Sequence, residues 1–202
     1  MCIRDRVMGK LKPTLSIKMR LGYRSEHESQ LLLPRLDNYP LSSITIHARL
    51  GVQLYRGSVN LNHFDTCRTL TRHRLIYNGD LVSSDTFSEV SRRFPSVSEW
   101  MIGRGLLMNP FLPADIQGQY FSEQEKLERL RSFHGELYHE LKEKLSGPGH
   151  LLGRMKQVWI YFIHAFPGQE KRVKKVVRAT TEKNFLKAAD TIFNNHSAGL
   201  TG

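Results

Sequence analysis

The sequence predicts an α/β protein in two parts: the C-terminal half of a TIM (β/α)8 barrel, followed by a small all-helical domain. Short β-type runs alternate with helical segments through residues 13–117. Polar residues follow the end of each β-type run, and long charged helical patterns take over in residues 118–202. Alternation of strand and helix by itself fits either a doubly wound parallel sheet or a (β/α)8 barrel.

The four β-type runs are apolar at nearly every position, which is typical of parallel strands buried on both faces. They cover residues 14–21, 43–48, 75–78 and 99–102. Helical segments follow the first three runs at residues 27–37, 62–72 and 84–94. The last of these segments is introduced by Ser83-Ser84-Asp85, which has good N-cap chemistry.

The tail of the chain predicts a separate helical domain. Residues 123–145 are highly charged and carry apolar side chains at helical spacing, and the glycines and proline at 147–149 end this helix. A second helix is predicted over residues 151–165. A turn at Pro167 and Gly168 follows, and two shorter helices complete the chain.

Composition allows a polyanionic partner. The chain has 30 Lys and Arg against 19 Asp and Glu, a net charge of +11. This charge fits a nucleic-acid partner and an ordinary basic protein surface equally well. No apolar run could span a bilayer, and no secretory signal is visible. Cys2 and Cys67 are too few for a disulfide framework and lack metal-ligand spacing. We therefore expect no metal, no membrane partner and a reducing, cytoplasmic setting.

Residues 1–12 stand apart from the rest of the chain. The first six, Met1 to Arg6, lead into the first strand without a helix cap or a turn. We expect residues 1–12 to be a spurious or unstructured leader on an incomplete reading frame.

Polar residues occupy equivalent places at the ends of the four predicted strands. These residues are Lys18 and Arg20, His47 and Arg49, Asn78-Gly79-Asp80, and Gly103-Arg104-Gly105. Ligands bind at the C-terminal ends of parallel strands, so one shared pocket is predicted. Lys18 alternates with apolar residues, and a lysine buried in a strand needs an anionic partner or hydrogen-bond acceptors. His47 fits a ligand contact and a hydrogen-bonded core histidine equally well.

The last two strand ends favour the barrel over the doubly wound sheet. Barrel enzymes often hold a phosphate with the loops after the seventh and eighth strands. Glycines such as Gly79 and Gly103 let backbone N–H groups approach phosphate oxygens, and Arg104 could add a charge-assisted bond. The four strands are therefore predicted to be the fifth to eighth of a barrel, with the first half absent from this sequence.

The strand ends and the tail together resemble the tRNA-dihydrouridine synthase family. The matching stretches are residues 16–22, 44–49, 55–57, 77–80, 101–105 and, in the tail, 153–157 with Trp159. Four barrel stretches in one order and at similar spacing make the resemblance specific, and it covers nearly everything after residue 12.

The resemblance implies reduction of uridine to dihydrouridine in tRNA, with FMN as cofactor and NADPH as reductant. Lys18 would lie at the pyrimidine edge of the flavin, Arg20 would support it, and His47 would contact the flavin or its ribityl chain. The phosphate end would be held by Asn78, Gly79, Gly103 and Arg104, and Asp80 is counted among the cofactor-binding residues. The intact protein is expected to be monomeric.

The family's proton donor is a cysteine in an Asn-x-x-Cys-Pro-like loop of the barrel's first half, and this sequence has no such loop. Cys2 lies in the leader, and Cys67 lies in a predicted outer helix. No catalytic residue is therefore assigned in this chain, and the fragment is expected to be inactive alone.

The basic tail predicts RNA binding through shape and phosphate contacts. The candidate residues are Arg154, Lys156, Lys171, Arg172, Lys174, Lys175 and Arg178. Two alternatives stay open. One is another FMN-barrel oxidoreductase of the dihydroorotate-dehydrogenase type, which would not need the tail. The other is a non-catalytic RNA-binding protein on an eroded barrel, which would bind no flavin.

Overall fold

The computed structural model of the chain describes residues 14–200, with side chains described as far as His196. The predicted leader over residues 1–12 lies outside the described residues. The chain divides into two compact units, and of the described residues 14–103 form the first and 104–200 the second.

The first unit is a four-stranded parallel sheet with helices between its strands. Its elements are β1 (Leu15–Gly22), α1 (His27–Leu36), β2 (Leu41–Leu50), α2 (Leu61–Thr69), β3 (Leu75–Asn78), α3 (Ser84–Arg93) and β4 (Trp100–Met101). The strands lie in the order β1-β2-β3-β4, and every neighbouring pair is parallel. This order without reversal is that of half a (β/α)8 barrel, which confirms the predicted fold class.

The register gives the sheet one polar and one apolar face. Arg20 pairs with His47, His47 with Asn78, and Asn78 with Met101, so these side chains share one face. The opposite face packs Ile44, Ile46, Ala48 and Tyr77 into a core with the helix side chains Phe64 and Phe94.

Burial on both faces was predicted for all strands but holds only for β2, where residues 43–49 are all buried. In β1 exposed and half-buried residues alternate, because this strand lies at the edge of the described sheet. In β4 Trp100 is half-buried and Met101 is exposed. The prediction that Lys18 is buried is therefore wrong, because Lys18 is exposed on the polar face.

Local capping explains where the helices of this unit begin. The Asn60 side chain accepts a 2.9 Å hydrogen bond from the His63 N–H at the start of α2. Ser83 and Thr86 form a reciprocal capping box at the start of α3, so the predicted N-cap is confirmed.

The second unit is all helical. It contains α4 (Arg104–Met108), α5 (Leu112–Ile116), α6 (Glu123–Lys144), α7 (Pro148–Phe162), a 3-10 turn (Ile163–Ala165), α8 (Glu170–Arg178) and α9 (Glu182–Leu200). Its core surrounds Trp159, with Met155, Phe162, Phe166, Phe185 and Phe193 all buried against it. A capping box between Ser122 and Glu125 begins α6.

Two features of this unit differ from the sequence expectation. It begins at Arg104 instead of residue 118, because α4 packs on α7 and Phe111 contacts the helical core. The last helix, α9, is long, not short. None of the helices within residues 14–200 has both the length and the apolar character that a membrane span needs.

Candidate functional site

The predicted residues of β1, β2 and β3 lie together on the polar face, at the C-terminal ends of the strands. Lys18 and Arg20 project from β1 beside His47 of β2, and Asn78 of β3 is the next residue in register. Although Lys18 is exposed, neighbouring protein atoms partly desolvate its amine, and this, followed by the charge of Arg20, lowers the pKa of Lys18. The repulsion between Lys18 and Arg20 indicates a positive electrostatic potential at the C-terminal ends of the strands.

Arg20 is anchored across the strand ends. Its Nη1 donates a 2.7 Å hydrogen bond to the carbonyl oxygen of Leu50, the last residue of β2. Its guanidinium carbon lies 5.5 Å from the ring centre of Tyr55, a cation–π distance, and the Tyr55 and His47 ring centres are 6.3 Å apart. Tyr55 therefore borders the site, although it was assigned no role from the sequence. An aromatic residue in the glycine-bounded loop after β2 was the available signal.

His47 is a neutral imidazole at neutral pH. Burial, and then the charges of Arg20, Lys18 and Arg49, lower its pKa to about 4, although Asp80 acts in the opposite direction. Its side chain is buried, so one ring nitrogen remains a donor and the other an acceptor. His47 can therefore hydrogen-bond to a ligand without adding a positive charge to the site.

Arg49 and Asp80 form an ion pair between the ends of β2 and β3. Arg49 Nη1 donates to Asp80 Oδ1 at 2.6 Å, and Nη2 pairs with Asp80 Oδ2. Nη2 also donates to the carbonyl oxygen of Gly57 at 2.5 Å. Asp80 was predicted as a cofactor-binding residue, and in the structure both of its carboxylate oxygens face Arg49. Its contact with a cofactor stays a prediction.

The turn after β3 requires glycine. Gly79 has φ +143°, and a Cβ atom there would lie 2.9 Å from Val59 Cγ1 and 3.2 Å from the Tyr77 hydroxyl. The Asn78 side-chain amide donates a 2.7 Å hydrogen bond to the Met101 carbonyl, which joins β3 to β4. The backbone of the turn also lies directly beside His47, because a Cβ atom added at Gly79 would be 3.5 Å from His47 Cδ2.

Gly103 and Arg104, the two predicted site residues that follow β4, fall on either side of the division between the units. A Cβ added at Gly103 would meet no atom of the described chain within 4 Å, so this backbone is open to close approach. Arg104 is the first residue of α4 and belongs to the second unit. Six predicted residues are therefore brought together at the sheet edge: Lys18, Arg20, His47, Asn78, Gly79 and Asp80.

Cys67 lies in α2, as expected for an outer helix. Its sulfur is buried 3.7 Å from the Ser29 hydroxyl, and burial raises the pKa of the thiol. Among the residues that the structure describes, no three His, Cys, Asp or Glu side chains are grouped so that they could hold a metal ion.

The seven residues predicted to contact RNA all lie on helices of the second unit. Arg154 and Lys156 are on α7, and Arg154 donates a 3.0 Å hydrogen bond to Gln157 Oε1. On α8 the side chains of Val173 and Val176 are buried. The five cations of α8, Lys171, Arg172, Lys174, Lys175 and Arg178, are exposed.

These features define an α/β-barrel protein with a positively charged site at the carboxyl ends of its strands. The chain belongs to the dihydrouridine synthase (Dus) family, whose family model matches residues 3–197. The family resemblance that the motifs predicted is thereby confirmed, and the family fold is a TIM barrel.

Individual relatives support the same family. A human protein named tRNA-dihydrouridine(47) synthase-like is 30% identical over 125 residues, which are 59% of this chain and 19% of that protein. Its mouse counterpart is 29% identical over 132 residues, 63% of this chain and 20% of that protein. A probable tRNA-dihydrouridine synthase of Rickettsia prowazekii is 26% identical over 107 residues, 52% of this chain and 32% of that protein. The chain thus spans a fifth to a third of the length of these curated relatives.

Proposed function

We propose that the protein reduces a uridine base of tRNA to dihydrouridine, with FMN as its flavin and NADPH as reductant. The observation that carries the proposal is the placement of Lys18 and Arg20 beside His47 on one face of the sheet, with Arg20 held across the strand ends by its hydrogen bond to the Leu50 carbonyl. The names of the human and Rickettsia relatives refer to tRNA-dihydrouridine synthesis, which supports the same substrate.

The residues present fit an anionic flavin nucleotide. Arg49 is neutralised by Asp80, so Lys18 and Arg20 supply the charge that a negatively charged ring or phosphate would contact. Gly103 is open to close backbone approach, as a phosphate-binding loop requires. When bound, FMN supplies hydride transfer from NADPH to C6 of the uracil.

Each side chain then has a defined task in the proposal. Lys18 stabilises negative charge at the pyrimidine edge, and Arg20 holds its place through its bond to the Leu50 carbonyl. Neutral His47 donates or accepts one hydrogen bond to the flavin or its ribityl chain. Asn78, Gly79, Gly103 and Arg104 hold the phosphate end. The proton donor is a cysteine of a loop that this chain does not contain.

The basic helical unit favours a tRNA substrate over a free small molecule. An oxidoreductase of the dihydroorotate-dehydrogenase type would share the lysine and the glycines, but it would not need five exposed cations on α8.

The test combines the intact protein, FMN, NADPH and tRNA from a host that lacks dihydrouridine synthases. We expect dihydrouridine to appear in the tRNA digest by mass spectrometry, and residues 1–202 alone to form none. No dihydrouridine with the flavin-loaded intact protein would contradict the proposal. Multiple turnovers by residues 1–202 alone would show that the proton donor lies within this chain.

A further inference from the structure

The loops that follow β1 and β2 carry large apolar side chains on the protein surface. Tyr23, after β1, is 63% exposed, and Val52, Leu54 and Tyr55, after β2, are 52–61% exposed. Leu54 also has φ +51°, a left-handed conformation that is unfavourable for leucine. Exposed apolar side chains that form one surface mark the place of a ligand or a partner. The occupant of this surface would lie at the C-terminal ends of the strands.

Backbone contacts join the two loops into one surface. The Gly51 N–H donates a 2.8 Å hydrogen bond to the Gly22 carbonyl, and the Val52 N–H donates a 3.0 Å hydrogen bond to the Tyr23 carbonyl. Tyr23 also packs on Gly51, where an added Cβ atom would lie 2.5 Å from Tyr23 Cδ2. Tyr23 therefore lies against the loop whose Tyr55 borders the site at the strand ends.

The Glu28 carboxylate holds the loop after β1 in one conformation. It accepts 2.9 Å hydrogen bonds from the backbone N–H groups of Tyr23, Arg24 and Ser25. These bonds, that from Tyr23 first, hold the pKa of Glu28 below its usual value. Both carboxylate oxygens are thus engaged by the loop, which presents Tyr23 and Arg24 in a fixed arrangement.

Arg24 places a cation beside the exposed ring of Tyr23. Its guanidinium carbon lies 5.9 Å from the Tyr23 ring centre, and its side chain is exposed. An exposed aromatic ring can stack a nucleobase, and a guanidinium group binds phosphate oxygens through paired hydrogen bonds. Tyr23 and Arg24 therefore fit a nucleotide that carries a phosphate close to its base.

We propose that Tyr23 and Arg24 bind the adenosine 2′-phosphate end of NADPH. The proposal rests on the proposed function, which places the flavin beside Lys18 and Arg20 and takes NADPH as reductant. Tyr23 follows Arg20 by three residues, at most about 11 Å along the chain, so one extended dinucleotide can reach both the flavin and the Tyr23 ring.

The same loop explains a preference for NADPH over NADH. In dinucleotide sites a free carboxylate binds the ribose 2′-hydroxyl of NADH, whereas an arginine accommodates the 2′-phosphate of NADPH. Glu28, the carboxylate of this loop, is engaged by three backbone N–H groups, and Arg24 is exposed. Arg24 is therefore the residue that selects the phosphorylated dinucleotide.

The binding test uses residues 1–202 without flavin, because both proposed contacts lie in this chain. Isothermal titration calorimetry compares adenosine 2′,5′-bisphosphate with adenosine 5′-monophosphate. We expect the bisphosphate to bind at least about tenfold more tightly, since it alone carries the 2′-phosphate that Arg24 contacts. Equal affinities, or no binding of the bisphosphate, would overturn the proposal.

Three substitutions separate the two contacts. Arg24→Gln should weaken binding of the bisphosphate at least about tenfold and leave the monophosphate unaffected. Tyr23→Ala should weaken binding of both at least about fivefold, because the stacked ring is lost, and Tyr23→Phe should keep both affinities. An unchanged affinity for the bisphosphate in Arg24→Gln would remove Arg24 from the site, and an unchanged affinity in Tyr23→Ala would remove the stacking contact.

Arg35→Gln is the matched control for Arg24→Gln. Arg35 is also exposed, but it lies in the last turn of α1, which returns from the C-terminal to the N-terminal edge of the parallel sheet. This change should alter neither affinity. The thermal midpoint of each variant verifies its fold, and an equal loss in Arg35→Gln and Arg24→Gln would leave only net charge as the cause.

The intact, flavin-loaded protein supplies the second measurement, the rate of flavin reduction by NADPH and by NADH in stopped flow. Arg24→Gln should lower the preference for NADPH at least about tenfold and leave the flavin content unchanged. If Arg24→Gln raised the KM for tRNA and kept the NADPH preference, this surface would belong to the RNA and the proposal would be wrong. If neither dinucleotide reduced the flavin of the unaltered protein, the proposed function would itself be wrong.

Discussion

Arg49 at the end of β2 and Asp80 beyond β3 are joined by two parallel contacts, with Arg49 Nη1 2.6 Å from Asp80 Oδ1. Arg49 is 2% exposed, and the Asp80 carboxylate balances its buried charge. Asp80 has φ +45°, a left-handed conformation that is uncommon for residues other than glycine. The ion pair therefore holds the turn of Gly79 and Asp80 against the strand that carries His47.

The first prediction concerns this pair. Asp80→Asn in residues 1–202 should lower the free energy of unfolding by roughly 2–4 kcal/mol, because it leaves a buried guanidinium without its counter-charge. Urea unfolding measures the change. Asp65→Asn is the control, since Asp65 is exposed and Arg68 is only half-buried, so loss of their pair should cost less than about 1 kcal/mol. Similarly small losses of unfolding free energy in both variants would mean that another group compensates the buried charge of Arg49.

The second prediction concerns two loop glycines. Gly79→Ala should destabilise the first unit by about 1–3 kcal/mol, because φ is positive and the new methyl group would lie 2.9 Å from Val59 Cγ1. Gly103→Ala meets open space and should change stability by less than about 1 kcal/mol. If Gly103 approaches the FMN phosphate, the same change should weaken FMN binding by the intact protein. Unaltered FMN affinity of the Gly103→Ala protein would remove Gly103 from the phosphate site.

The third prediction concerns His134, which is buried in the helical unit between Trp159, Phe185 and Phe193. Burial lowers its pKa to about 4, more than the charge of Asp190 raises it. The native state then binds fewer protons than the unfolded state below about pH 6.5. Its contribution to stability is present above that pH and should be lost as the pH falls from about 6.5 to about 4, by about 3 kcal/mol.

The control for this pH effect is His134→Phe, which keeps a ring of similar size. It should flatten that part of the profile of unfolding free energy against pH. His47, whose pKa is also lowered to about 4, contributes a second decline in the same direction, which His134→Phe should leave in place. An unchanged pH profile in the His134→Phe protein would contradict the assignment.

The fourth prediction concerns Lys18 in the intact, flavin-binding protein. Lys18→Ala should weaken FMN binding or slow flavin reduction by NADPH, because it removes a cation from the site of positive potential. Lys126→Ala is the control, since Lys126 pairs with Glu123 on α6 of the helical unit and should leave both quantities unaltered. Unchanged FMN affinity together with unchanged turnover in Lys18→Ala would contradict the flavin site.

The sequence determined the elements and the edge of the sheet at which the functional residues lie. Four β-type runs, their helices and the N-cap at Ser83 depend on residues close in the chain, so local patterns predicted them. Lys18, Arg20, His47 and Asn78 were likewise predicted together, because parallel strands place their carboxyl ends at one edge.

Tertiary structure alone decided what each side chain meets. The exposure of Lys18 depends on the place of β1 at the sheet edge, and the pairing of Arg49 with Asp80 joins residues from two strands. Likewise, α4 joined the helical unit through its packing on α7, and Phe111 joined it through contact with the helical core. Local periodicity reports which face of an element is apolar. It carries no information about which distant residue lies opposite that face, because register and packing are set by contacts far apart in the chain.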